Sequence, residues 1–144
     1  NLFSASFLFM GGGDVITDLL IGGNLPPAMI LFIMLFAIFL LGMFIDWVAI
    51  LLVCLPVYMP ICLELGFNPL WFSMLICIVL QTSFLTPPFG YALFYFAGAV
   101  PAGQYRMMEI YKGVMPFIIL QAIGVIICIV FPSIITYLPG VVYQ

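Results

Sequence analysis

Charged residues punctuate this chain so rarely that the apolar runs between them outgrow the membrane they would have to cross. Ala28 to Ile45 carries no charge, Asp46 interrupts, and Trp47 to Leu63 continues in the same character. One straight helix over 28–63 would be ~54 Å long at ~1.5 Å per residue, whereas the hydrocarbon core of a bilayer is only ~30 Å thick. The chain must therefore turn inside the run. The stretch from Gly42 to Trp47 holds no polar loop of the kind that joins spanning helices in water. A tight turn near 42–47, lodged at membrane depth, is expected. Irregular backbone there is tolerated only where protein buries it or a water-filled cavity solvates it. Pro56 and Pro60 are expected to weaken the second arm, each removing an intrahelical hydrogen bond.

The flanking segments divide the rest of the chain. Leu2 to Met10 is too short to span alone and reads as the tail of a helix in a longer protein. Gly11–Gly13 ends it, since consecutive glycines disfavour helix. Asp14 is expected to cap a short interfacial helix that stops before Gly22-Gly23-Asn24 and Pro26-Pro27. After the hairpin, Glu64 to Pro69 forms a surface turn with a helix stop and a new start. Leu70 to Gly103 again lacks charge, and Gln81-Thr82-Ser83-Phe84-Leu85-Thr86-Pro87-Pro88-Phe89-Gly90 splits it. Two adjacent prolines remove two donors and push Thr86 out of the α region, so a broken helix with an unwound centre is expected. The segments are thus 1–27, a helix end plus interfacial piece; 28–67, a re-entrant helical hairpin; 68–100, a discontinuous transmembrane helix; 101–113, a cytoplasmic loop; and 114–144, a last spanning helix (Val114 to Tyr137) with a tail.

Composition names the solvent. Hydrophobic residues make up 67% of the chain and charged ones 5%, against about a quarter charged in a soluble domain. The fold class is all-α, a polytopic membrane protein in a lipid bilayer. Arg106 and Lys112 are the only bases, so no basic patch can meet nucleic acid. They place 101–113 in the cytoplasm by the positive-inside rule. Both ends of the hairpin, and the C-terminus, then face the outer side. Histidine is absent, and with one deep carboxylate the acid–base pairs of an enzyme are missing. Cys54, Cys62, Cys77 and Cys128 sit singly in apolar segments and read as small packing residues.

Two segments combine broken backbone with polar side chains at bilayer depth: the tip around Gly42 and Asp46, and the stretch from Gln81 to Gly90. Broken helices expose carbonyl dipoles that coordinate Na⁺, while half-helix N-termini attract anionic groups. Thr82, Ser83 and Thr86 would add hard oxygen ligands. The competing reading of Thr86-Pro87-Pro88 is a proline kink with Thr86 bonded back to its own helix. Asp46 is either a functional charge, which lipid makes costly, or an N-cap of the second arm. Gln121 is expected to make interhelical hydrogen bonds. Trp47, Trp71 and Tyr105 are candidate interface anchors.

The run LLGMFIDWVAILLVCLPVYMPICLELGFNPLWF, followed by LQTSFLTPPFGYALFYFAG and EIYKGVMPFIILQ, resembles the large membrane (permease) subunit of TRAP transporters, the DctM family, over its C-terminal third. The resemblance implies an ion transporter superfamily-like elevator fold built from inverted repeats, in the bacterial cell inner membrane. It implies that the tip near Gly42 and the turn near Thr86 and Gly90 cradle one Na⁺. Asp46, Gln81, Thr82, Ser83, Pro87 and Pro88 would then lie along the substrate and ion pathway. The implied activity is Na⁺-driven symport of organic acids, carboxylates above all. The implied partners are a periplasmic substrate-binding protein and a small membrane subunit. From the residues alone, a channel-type subunit with TPPFG at a constriction, or a structural membrane subunit that binds no ligand, stays open.

Overall fold

The computed structural model describes residues 25–87, 90–99, 101 and 106–142, together with 6, 9–12, 15, 16, 18, 22 and 23. Asp14, Pro88 and Tyr105 lie outside the described residues. Among the described residues the ordered elements are all helical: α1 Pro27–Gly42, α2 Trp47–Glu64, α3 Pro69–Leu85, α4 Tyr91–Ala99, α5 Met107–Val130 and α6 Ser133–Val142. Of these, α2 and α5 are long and apolar enough to cross a bilayer by themselves, while α1, α3 and α6 are shorter.

Each of the first three helices begins and ends on residues that need no lipid-facing partner. Pro27 opens α1, where its missing N–H would have had no acceptor in any case. At its other end the amides of Met43 and Phe44 bond the carbonyls of Leu40 and Leu41 at 3.2 and 3.0 Å. The turn is therefore only four residues long, and Asp46 already caps α2 by accepting from the Val48 amide at 3.1 Å. Helix α2 runs unbroken through Pro56 and Pro60, so the weakening expected there is not a break. It closes with Phe67 N–H on the Cys62 carbonyl and Gly66 N–H on that of Leu63, both at 3.0 Å, the paired bonds of a Schellman stop. Asn68 then caps α3, accepting from Leu70 and Trp71 at 2.9 and 3.2 Å.

Helix α3 is the central element, touching α1, α2, α4, α5 and α6. Its buried face (Phe72, Leu75, Ile76, Val79, Leu80) meets Ile30, Met34, Leu35 and Ile38 of α1 and Ile50, Cys54, Ile61 and Cys62 of α2 in one cluster. The periodicity of three and four on both helices is what lets two apolar helices share a seam while their other faces meet lipid. By contrast no residue of α5 is buried.

Three expectations need correction. The last long helix is not 114–137. It starts at Met107, inside the segment expected to be a loop, because the Glu109 carboxylate accepts the Arg106 amide at 3.0 Å and fixes a first turn there. It stops at Val130 because Pro132 follows, with α6 beginning at Ser133. Trp71 is not an interface anchor. It is 5% exposed, and its indole N–H donates to the Cys128 carbonyl at 2.8 Å. Pro132 stands four residues after Cys128 and brings no N–H, so this carbonyl loses its helical donor and the indole supplies another.

Candidate functional site

The helix expected to be broken stops at Leu85 and restarts at Tyr91, as α3 and α4. Thr86 leaves the helix with φ −92° and ψ 129°, the extended geometry that a following proline imposes. Gly90 holds φ +39°, a left-handed region where a side chain is strained. A Cβ on Gly90 would come within 2.9 Å of Leu93 Cδ1 and 3.5 Å of the Phe84 carbonyl oxygen. The restart therefore folds back over the last turn of α3.

The end of α1 sits on this break. A Cβ on Gly42 would overlap the Ser83 hydroxyl, and would lie 2.9 Å from Ser83 Cβ and 3.2 Å from Leu80 Cδ2. Only glycine allows the two backbones so close. Gly42 is the last residue of α1 and Ser83 lies in the last turn of α3. Two helix C-termini, each bearing the partial negative charge of its helix dipole, thus meet side by side. Pro87 and Pro88 add to this, because the carbonyls of Ser83 and Phe84 have prolines where their helical donors would stand. The Ser83 carbonyl accepts instead from the Thr86 amide at 3.1 Å.

The hydroxyls bond back to their own helix. Thr82 donates to the Ile78 carbonyl at 2.9 Å, Ser83 to that of Leu80 at 2.6 Å, and Thr86 to that of Thr82 at 2.8 Å. A hydroxyl that has spent its proton this way keeps its oxygen lone pairs as acceptors. Among the described residues no group of three or more His, Cys, Asp or Glu gathers. The oxygens at this junction are neutral, a donor set suited to a hard monovalent cation and not to a transition metal.

On the other side of the turn, two helix N-termini share a cavity. Asp46 and Trp47 at the start of α2, Tyr91 and Ala92 at the start of α4, and Phe84 and Tyr95 line a space of about 300 Å³. The Tyr91 hydroxyl donates to the Phe44 carbonyl at 3.2 Å, tying the 43–46 turn to the restart. The Phe84 and Tyr91 rings meet edge to face, with centroids 6.2 Å apart.

The structure thus brings Gly42 to Ser83, one turn from Thr86, and Asp46 to Tyr91. It does not bring in Gln81, which is exposed on α3. Thr82 faces an apolar groove of about 450 Å³ between α1, α3 and α5. Pro87 is half-buried beside the break. Gln121 is not interhelically paired through its carbonyl: Oε1 is buried without a partner among the described residues. Sequence reasoning missed Tyr91, Phe84 and Tyr95 as walls of the cavity. The signal was available, since Phe84 and Tyr91 flank the double proline.

Residues 1–134 match the family described as the tripartite ATP-independent periplasmic transporter, DctM component. The chain is 34% identical over 100 residues to the sialic acid TRAP transporter permease protein SiaT of Haemophilus influenzae, covering 69% of this chain and 16% of that protein. It is 29% identical over 122 residues to the ectoine/5-hydroxyectoine TRAP transporter large permease protein UehC of Ruegeria pomeroyi, covering 84% and 28%. To the C4-dicarboxylate TRAP transporter large permease protein DctM of Vibrio cholerae it is 25% identical over 126 residues, covering 88% and 27%. The chain therefore spans under a third of the length of these relatives. No solved structure matches it.

Proposed function

Because the chain belongs to the DctM family of tripartite ATP-independent periplasmic transporters, we propose that it forms one half of the translocation site of a Na⁺-coupled importer of small organic acids. The observation that carries this reading is the pairing of like helix ends. The C-termini of α1 and α3 meet at Gly42 and Ser83, and the N-termini of α2 and α4 line one cavity. Like ends repel in a dry medium, so an opposite charge beside each pair stabilises it. A cation at the carbonyl pair and an acid group at the amide pair meet that need. The oxygens offered to Na⁺ are the carbonyls of the last turns of α1 and α3 and the hydroxyl of Thr86, with Gly42 and Gly90 shaping the approach.

The lengths of the helices support a re-entrant hairpin. At ~1.5 Å per residue α1 is ~24 Å long and α3 ~26 Å, each short of the ~30 Å hydrocarbon core. A break at depth requires satisfied backbone; the bonds of Met43, Phe44 and Thr86 to the preceding helix turns and the Asp46 cap fit that need. The setting is the bacterial inner membrane, with 101–113, which carries Arg106 and Lys112, on the cytoplasmic side and the C-terminus periplasmic. The moving core would be of the elevator type, with its matching half on another part of the permease. The partners are a small membrane subunit and a periplasmic binding protein. The substrates named for the relatives, sialic acid, ectoine and C4-dicarboxylate, all carry an acid group.

The test is uptake by the full-length permease with its small subunit in proteoliposomes, supplied with its loaded binding protein. Uptake that saturates in substrate and collapses when K⁺ replaces Na⁺ is expected. Sodium-independent or non-saturating flux would instead indicate a channel.

A further inference from the structure

Helices α1 and α5 each pack on α3, and between them runs the apolar groove of about 450 Å³. Two contacts fix its direction. Gly42 ends α1 against Ser83 in the last turn of α3, so these two helices run in the same sense. The Trp71 indole, near the start of α3, holds the Cys128 carbonyl near the end of α5, so α5 runs the opposite way. Ile129 therefore lies at the Ala28 end of the groove, and Ala122 lies toward Phe39. The Ala28 end opens where α1 starts and α5 stops. The Phe39 end stops one helical turn short of the Gly42 junction.

Among the described residues no charged side chain lines the groove, and Thr82 is its one polar residue. Thr82 is 6% exposed, and its hydroxyl donates to the Ile78 carbonyl. Phe32, Phe36 and Phe39 form one wall, with successive stacked rings 5.8 and 6.5 Å apart at their centroids. Water finds no partners in such a space, and a void would forfeit the dispersion contacts of the side chains around it. Hydrocarbon is its complement, and size decides which kind. From Ala28 to Phe39 the groove is ~16 Å long at ~1.5 Å per residue. Spreading about 450 Å³ over that length leaves a mean cross-section of about 28 Å². A helix with its side chains is about 10–12 Å across, a section of about 80–110 Å², and cannot lie there. A single flexible chain can. The length also matches one leaflet, half of the ~30 Å hydrocarbon core.

We propose that this groove holds one acyl chain of a membrane phospholipid. The ester end lies at Ala28 and Ile129, and the methyl end reaches Phe39 and Ala122. The placing of the ester end rests on the re-entrant reading proposed above, which puts the start of α1 at the outer surface. The headgroup stays at that surface, outside the groove. The chain supplies the packing that α1 and α5 do not give each other, and its tip bears on the turn of α1 that leads to Gly42.

The experiment uses the full-length permease with its small subunit in phosphatidylglycerol nanodiscs. The lipid carries a photoactivatable diazirine near the methyl end of one acyl chain or, in a second preparation, near the ester. Adducts are mapped by peptide mass spectrometry. The methyl-end label should mark Phe36, Phe39 and Ala122, and the ester-end label should mark Ala28 and Ile129. Ala122→Phe, which fills the deep end, and Ala28→Phe, which blocks the mouth, should each abolish the methyl-end adducts on α1. Both alanines are exposed, so both variants should keep the parent melting temperature. Ile123→Phe, at a residue 47% exposed and outside the groove, should leave those adducts unchanged. Adducts indifferent to both alanine variants would mark surrounding bilayer lipid alone and overturn the inference. So would the two labels marking opposite ends to those expected. The absence of groove adducts overturns it as well, and assigns the space to side chains of another permease helix. Na⁺-dependent uptake that persists in any of these cases leaves the transport reading standing without the lipid. Uptake independent of Na⁺, with the groove adducts as expected, removes the transport reading and keeps the lipid.

Discussion

Gly42→Ala in the full-length permease is the sharpest probe of the junction. The new methyl overlaps the Ser83 hydroxyl and sits 2.9 Å from Ser83 Cβ and 3.2 Å from Leu80 Cδ2. Turning the hydroxyl aside would break its 2.6 Å bond to the Leu80 carbonyl, a loss of about 1 kcal/mol. It would not relieve Cβ, so the end of α1 must move off α3. Forcing one methyl into a packed contact costs about 1–3 kcal/mol, which should lower the melting temperature of the purified complex measurably. Moving two carbonyl ends apart should also weaken the cation site, and each ~1.4 kcal/mol lost there raises the Na⁺ concentration for half-maximal uptake tenfold. Adding Ser83→Ala removes the hydroxyl overlap and leaves the Cβ contact, so recovery should be partial and non-additive. A Gly42→Ala protein with parental melting and sodium response, or a double variant no better than the sum of its parts, would refute the close approach as the basis of the site.

Three further outcomes follow from single contacts. Thr86→Val keeps the shape and deletes the oxygen that bonds the Thr82 carbonyl; the half-maximal Na⁺ concentration in uptake assays should rise several-fold at normal protein levels. Asp46→Asn preserves the cap on Val48 and removes the charge, whereas Asp46→Ala removes both and adds a ~1 kcal/mol capping loss; uptake should fall nearly as far in Asn as in Ala, while melting drops in Ala alone. Trp71→Phe keeps the ring volume roughly but strands the Cys128 carbonyl, which should cost about 1–3 kcal/mol in thermal unfolding with little change in the Na⁺ response.

Much of this architecture is written in short-range chemistry. Gly42 with Asp46, Glu64 to Pro69, and Thr86 to Gly90 each announce a stop or a start through residues that satisfy or remove backbone groups locally. Their positions could therefore be read without tertiary information. The end of α5 was misplaced for a different reason. Between Val114 and Tyr137 the composition is uniformly apolar, and Pro132 alone did not announce a break in a helix that contains Pro116 as well. Pro56 and Pro60 leave α2 continuous, so proline by itself does not decide. What distinguishes Pro132 is a long-range partner, the Trp71 indole on the carbonyl it frees. The same limit applies to the site. Thr86 and Gly90 could be singled out, but the meeting of Gly42 with Ser83 depends on packing between distant segments. So does the cavity wall built by Trp47, Phe84 and Tyr91.

The proposed reading also gives a physical basis for coupling. The 43–46 turn belongs to both charged regions: Gly42 adjoins the carbonyl pair, and Asp46 adjoins the amide pair. The 86–90 segment likewise has Thr86 on one side and Gly90 leading into α4 on the other. A cation held between the ends of α1 and α3 draws the turn toward the break, which also narrows the gap between Trp47 and Tyr91 where the solute would sit. A solute bridging that gap does the reverse service for the cation. Both ligands thus act on one degree of freedom, the separation that the Tyr91 hydroxyl spans to the Phe44 carbonyl. Linkage then requires each to tighten the other by the same factor. Tyr91→Phe, which keeps the ring and loses the bond, should therefore shrink the effect of Na⁺ on solute affinity and the effect of solute on Na⁺ affinity equally. Two titrations on one purified complex would measure this, and factors unchanged from the parent would separate the turn from the coupling.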